Sequence, residues 1–282
     1  MFRSVMIAAG LALSSATAQA QVAINDSEIT RPPVAANGIQ YVLKVRVPQA
    51  CRAEGVTCPA VYMLDAEYSF PLVSVMTEHL AQRSQLPDLI LVGIGYEDVS
   101  TEGYRMNRSR DYTPVFVAEG GYGAQYQVES GGAPDFLAAI ADTIMPHVEA
   151  HYPVDTQNRT LVGHSYGGLF GAWTLQTRPD LFANYVLVSP SLWYDDGRFL
   201  VSMQDSPPET DVVARVYLAV GEYEEQPENG RAMVSDLLAF DAAIEAWDNP
   251  NAEHLARVFD GETHASIFPT AISSGLRALF ND

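Results

Sequence analysis

The chain is expected to fold as an α/β domain, with a mostly parallel central sheet flanked by helices. Three observations carry that expectation. Short apolar runs of β-prone residues alternate with helix-compatible segments along the sequence. The run from Arg159 to Gly171 reads as a strand, a sharp glycine-bounded turn and a helix of small and apolar residues. Hydrophobic residues make up 48% and charged residues 18% of the 282 positions, ordinary values for a chain that buries a core.

Residues 1–20 have the features of a secretory signal: a basic Arg3, an apolar stretch Val5–Leu13 and the small-x-small tripeptide Ala18-Gln19-Ala20. That stretch is shorter than the roughly 20 residues of a spanning helix. We therefore expect export, to the periplasm or beyond, and one domain over residues 21–282. Tyr41–Val47 alternates as a half-buried strand does. Pro59–Asp65 and Leu89–Gly95 are apolar runs suited to buried strands. In an exported chain Cys51 and Cys58 suggest a small disulfide loop between the first two strands, and no further ligands stand nearby for zinc.

Phe70–Arg83 is helix-compatible, with Phe70, Val73, Met76 and Leu80 at helical spacing. Pro134–His151 is an amphipathic helix with Phe136, Leu137, Ile140, Ile144 and Val148 on one stripe. Further strands are expected at Thr160–Val162, Tyr185–Val188, Arg215–Val220 and Ala256–Phe259, with helices at Gly168–Leu175, Met233–Trp247 and Pro269–Phe280. Between Glu97 and Ala133 no regular pattern stands out. A connection this long is usually functional or disordered, and it leaves the sheet where α/β active sites lie.

Ser165, between Gly163 and Gly167, fits a nucleophile elbow. A neutral serine needs a base, and the base needs an orienting group; in this arrangement the order is Ser, acid, His. His254 and His264 are the histidines that follow. His254 lies just ahead of a strand, whereas His264 falls between the last strand and the last helix, where such a base belongs. The acid is sought after Arg215–Val220, in Gly221-Glu-Tyr-Glu-Glu225. Glu224 is preferred there to Glu222 and Glu225, with Glu262 or a Ser-His dyad as alternatives. Oxyanion donors are expected at the backbone N–H of Tyr166 and at Ala66 or Glu67. His147 and His151 are four apart but do not form the H-E-x-x-H zinc pattern, and neither metal nor organic cofactor is called for.

The formal charge is −19, with Lys44 the only lysine. So acidic a surface repels nucleic acid and anionic lipid, leaving a small-molecule ester as the expected partner. Arg105, Arg108 and Arg110 cluster in the long connection and suggest recognition of an anionic or polar portion of that ester, or else neutralise nearby carboxylates such as Glu102 and Asp111. Tyr104, Tyr112, Tyr122 and Tyr126 could wall the same site.

Seven ordered stretches carry a family resemblance: Tyr62–Asp65, Arg110–Pro114, Gly131–Leu137, Gly163–Gly168, Ser189–Trp193, Val220–Glu224 and Gly261–Ser266. On these the chain resembles the putative-esterase (esterase D-like) family of α/β-hydrolases, and within it the branch of trilactone-siderophore (enterobactin and salmochelin) esterases. The resemblance implies an α/β-hydrolase fold, Ser165 as nucleophile and His264 as base. It also implies that Arg110 and the loop carrying Trp193 border the substrate. Ala66 and Tyr166 stand where the family commonly has Gly and Phe. The expected activity is ester hydrolysis through an acyl-enzyme; acyl transfer to an alcohol and ligand capture without catalysis are the alternatives.

Overall fold

A computed structural model describes residues 23–205, 208 and 213–281, so the signal-like segment lies outside the described residues. The chain opens with strands β1 (Ser27–Thr30), β2 (Tyr41–Arg46) and β3 (Cys58–Met63), then helix α1 (Ala66–Ala81) and β4 (Ile90–Tyr96). Helices α2 (Thr101–Asp111), α3 (Ala124–Gln127) and α4 (Ala133–Ala139) follow. A π-helical turn, Ile140–Ile144, joins α4 to α5 (Met145–His151). Next come β5 (Val154–His164), α6 (Tyr166–Thr177), β6 (Asn184–Val188), α7 (Arg198–Asp205) and β7 (Ala214–Gly221). A small hairpin, β8 (Glu225–Gln226) with β9 (Arg231–Ala232), precedes α8 (Met233–Glu245), β10 (Ala252–Phe259) and α9 (Ile267–Phe280).

Eight strands form one sheet in the order β1-β2-β4-β3-β5-β6-β7-β10. β2 runs antiparallel to β1 and to β4, and the pairs from β4 through β10 are all parallel. This is the expected mostly parallel α/β sheet. Its central strands are apolar on both faces because helices cover both. On one side Tyr62, Leu161 and Leu187 pack with Phe136, Leu169, Phe170 and Phe240. On the other Val61, Met63, Val162 and Val186 pack with Phe70 and Val73 of α1 and with Ile272 and Leu276 of α9. Successive side chains of each strand thus feed two cores, and the loops at the strands' C-terminal ends are free to build a site.

Several boundaries differ from the sequence expectation. α1 begins at Ala66 rather than Phe70, and Gly93 makes room for that early turn: a Cβ on Gly93 would lie 3.0 Å from the Ala66 Cβ. β10 starts at Ala252, its eight residues pairing with Ala214–Gly221 throughout. The largest correction is the stretch from Glu97 to Ala133, which contains the 11-residue helix α2. Ser100 caps that helix by accepting from the Gly103 N–H at 3.0 Å, an N-cap arrangement. No apolar stripe announces α2, because its chief tie to the body is an ion pair, Arg108 to Asp65. Cys51 and Cys58 are joined by a disulfide between β2 and β3. Among the described residues, no helix is long and apolar enough to cross a membrane.

Candidate active site

β5 ends at His164 and α6 begins at Tyr166, so Ser165 alone makes the turn, with φ 61° and ψ −119°. A side chain other than glycine's occupies that region only when its surroundings hold it there. Here the Ser165 N–H donates to the Val188 carbonyl at 3.0 Å, and its own carbonyl accepts from Leu169 N at 3.0 Å and Ser191 N at 3.1 Å. The turn is tight enough that a Cβ on Gly163 would stand 2.1 Å from the Gly167 carbonyl oxygen. The hydroxyl thus projects at the start of a helix, whose first N–H groups have no acceptor within the helix and face any developing oxyanion. Ser165 Oγ lies 3.4 Å from Ser191 Oγ.

The loops after β7 and β10 meet beside this turn because their strands are parallel neighbours. His264 Nδ1 and Glu224 Oε2 are 2.5 Å apart. The other carboxylate oxygen of Glu224 accepts from Ser189 Oγ at 2.6 Å and from Gly221 N at 2.8 Å. Glu224 is 4% exposed, so its two oxygens face three donors rather than water. A carboxylate so placed sets the proton on Nδ1 and turns Nε2 outward as the acceptor. The competing carboxylates are engaged elsewhere. Glu222 accepts from Gly261 N, Glu225 from Val234 N, Ser235 N and Ser235 Oγ, and Glu262 from Ser266 Oγ.

Ser165, His264 and Glu224 line one cleft of about 930 Å³, with Tyr166 and Trp193 on its wall. His164 stacks on His264, ring centroids 4.7 Å apart, and its Nδ1 lies 3.2 Å from the Tyr68 hydroxyl. Burial, the His264 ring and the Arg108 cation hold His164 well below the usual imidazole range, so it is neutral. Arg108 lies beneath the cleft at 2% exposure. It donates to both Asp65 oxygens, at 2.8 and 3.1 Å, to the His164 carbonyl at 3.0 Å and to the Tyr122 hydroxyl. Tyr104, Tyr112, Tyr122 and Tyr166 surround its guanidinium at 5.0–5.8 Å. This cation is fully partnered and acts as a rivet between α2, the start of α1 and the elbow.

The structure thus brings Ser165, His264, Glu224, Tyr166 and Trp193 together, and two of the expected arginines stand apart. Arg110 is absent from the cleft lining; it pairs with Asp111 at 2.7 and 3.0 Å over the Tyr96 ring, and Asp111 also accepts from the Tyr41 and Tyr96 hydroxyls. Arg105 is exposed on α2 against Tyr126, also outside the lining. Within about one and a half helical turns the three arginines face three different environments, which clustering in sequence does not reveal. The side chains of Ala66 and Glu67 point to β4 and Lys44 respectively, leaving only their backbone N–H groups for an oxyanion. His147 stacks on His151, which meets the His147 carbonyl at 2.7 Å, away from the cleft. Sequence reasoning missed Tyr68 and Arg231, and it placed Ser189 and Ser191 only within the loop expected to border the substrate, without roles of their own. The serines lie inside a stretch that signals the family as a whole, and Arg231 sits on a two-residue strand, too short to show a local pattern.

Residues 36–279 match the Putative esterase family. The ferri-bacillibactin esterase BesA of Bacillus subtilis is 31% identical over 238 residues, 78% of each chain. A siderophore enterobactin esterase of Emericella nidulans is 27% identical, covering 81% of this chain and 84% of its own. The crystal structure of the BES protein from Bacillus cereus superposes with a TM-score of 0.76 at 25% identity, over 94% of this chain and 99% of that one. With that match across most of its length, on this sheet, the chain belongs to the Putative esterase family and is a carboxylic-ester hydrolase.

Proposed function

We propose that the protein is an exported serine esterase whose nucleophile is Ser165, base His264 and orienting acid Glu224. The observation that carries this reading is the 2.5 Å contact between His264 Nδ1 and the buried Glu224 carboxylate, in the cleft that also receives the Ser165 elbow. In the forward step Ser165 Oγ attacks the ester carbonyl while His264 Nε2 takes its proton, and Glu224 stabilises the imidazolium. Backbone N–H groups of Tyr166 and of Ala66 or Glu67 hold the tetrahedral oxyanion. The proton passes to the departing alkoxide, leaving an acyl-Ser165, and water deprotonated by His264 releases the acid. Relatives named for siderophore esters support a siderophore-type ester as substrate. Export rests on the signal-like residues 1–20 and on the Cys51–Cys58 disulfide, and residues 21–282 form the catalytic domain.

The test is Ser165→Ala. Hydrolysis of 4-nitrophenyl acetate and labelling by a fluorophosphonate should both vanish while the circular dichroism spectrum persists. Turnover or labelling that survives in a folded variant would refute the assignment.

A further inference from the structure

Two arginines line the cleft, and they differ in one respect. Arg108 is buried against Asp65, as described above. Arg231, on β9, is exposed and has no carboxylate partner among the described residues, although the chain carries 35 acidic side chains. The arrangement of the hairpin explains why. Its cross-strand neighbour is the neutral Gln226. The adjacent Glu225 is turned to the start of α8, where it accepts from two backbone N–H groups and the Ser235 hydroxyl. The guanidinium of Arg231 instead lies 5.0 Å from the centroid of the Trp193 ring. An aromatic face holds a cation in place without neutralising it, and the guanidinium keeps its donors free at the edge. Trp193 in turn packs against Tyr166, ring centroids 6.1 Å apart, the residue next to Ser165.

We propose that Arg231, held on Trp193, is the specificity-determining cation of the cleft. It selects esters that carry an anionic group distant from the scissile bond. The proposal rests on Ser165 being the nucleophile of this cleft. The surrounding charge of −19 sharpens the argument, since an anionic ester is repelled by most of the surface and attracted, within the cleft, at the guanidinium of Arg231, the cleft arginine without a carboxylate partner among the described residues.

The experiment uses two matched series of 4-nitrophenyl esters. One series is the mono-esters of dicarboxylic acids from succinate to suberate, each ending in a free carboxylate. The other is the uncharged monocarboxylic esters of equal chain length. The readout is the ratio of kcat/KM, charged over uncharged, at each length. At the best length, Arg231→Gln should lower that ratio roughly tenfold, as befits a charge-assisted hydrogen bond. Arg231→Lys should keep part of the ratio, and Arg231→Glu should lower it further. In the unsubstituted protein the ratio should fall as salt rises, because an exposed pair is screened. A ratio equal in the unsubstituted protein and Arg231→Gln at every length overturns the proposal; so does a ratio indifferent to salt, should the variant fail to fold. If the unsubstituted protein hydrolyses no ester of either series, the Ser165 reading itself has failed. Ser165-dependent hydrolysis without charge discrimination sinks the Arg231 proposal alone.

Discussion

Replacing Glu224 by glutamine removes one charge and almost no volume, and the surroundings dictate how the new amide must sit. Two donors, Ser189 Oγ at 2.6 Å and Gly221 N at 2.8 Å, face one oxygen of the carboxylate. The glutamine carbonyl must stay there, because turning it away would leave two buried donors unpaired, at about 1–3 kcal/mol each. The amide NH2 is then forced against His264 Nδ1. Two donors cannot share that 2.5 Å contact. His264 relieves the conflict by moving its proton to Nε2, the nitrogen that accepts from Ser165 in the proposed mechanism. The imidazolium formed during attack also loses its buried counter-charge. A wrong tautomer in a serine triad costs about 10⁴-fold in kcat. With the His264 side chain 43% exposed and able to recruit water, we expect ~10³-fold here, or roughly 4 kcal/mol of barrier. The assay is steady-state hydrolysis of 4-nitrophenyl acetate at pH 8, with a thermal melt by circular dichroism to show that the fold persists. Glu225→Gln is the control: its carboxylate caps α8, so stability should fall by ~1 kcal/mol with kcat unchanged. If Glu224→Gln retains more than about a tenth of kcat, the acid does not set the tautomer and a Ser-His dyad suffices.

Arg108→Met leaves the Asp65 carboxylate buried without its counter-ion, and we expect a loss of about 3–5 kcal/mol in a urea titration; a loss below ~1 kcal/mol would show that the pair is not the rivet of α2. Gly163→Ala puts a Cβ 2.1 Å from the Gly167 carbonyl, so the variant should accumulate as insoluble protein or melt far below the parent, and a normal melt with full activity would contradict the elbow geometry. His254 meets Asp241 at 2.7 Å and Glu245 at 2.8 Å through its two ring nitrogens. Although burial opposes its charge, the two carboxylates raise it above the ordinary imidazole value. Its contribution to stability is therefore complete below about pH 6.5 and is lost as pH rises through the higher folded value. His254→Gln should flatten that part of the stability profile, and an unchanged slope would place its origin elsewhere.

Local chemistry made much of this molecule legible. The apolar runs around Tyr62, Val92 and Val186 read as buried strands because they are covered on both faces, and no polar alternation competes with that signal. The stripe Phe136, Ile140, Ile144 and Val148 marked its helix, though nothing in it disclosed the π-helical turn. The segment from Glu97 to Ala133 was opaque for the opposite reason. α2 has few apolar residues, and its place depends on Asp65, 43 positions away from Arg108. β1 has only four residues and the β8–β9 hairpin two per strand, lengths at which periodicity carries no information.

Ser165 and His264 stood out from the sequence alone because each is announced by its neighbours, the glycines of a strained turn and the final strand-to-helix connection. Which carboxylate faces His264 was a matter of tertiary structure. Glu222, Glu224 and Glu225 share charge and sequence neighbourhood, and Glu262 stands two residues before His264; what separates the four is the donors that the folded loops aim at each. The arginines divide in the same way. Arg105, Arg108 and Arg110 are one cluster in sequence, yet the helix turns one to solvent, one into a buried pair and one onto Asp111. Arg231, from the β8–β9 hairpin 66 residues after the elbow, lines the cleft instead. Backbone strain and strand register are written in nearby residues. A side chain's electrostatic partner is set by distances between segments remote in sequence, and those exist only once the sheet has closed.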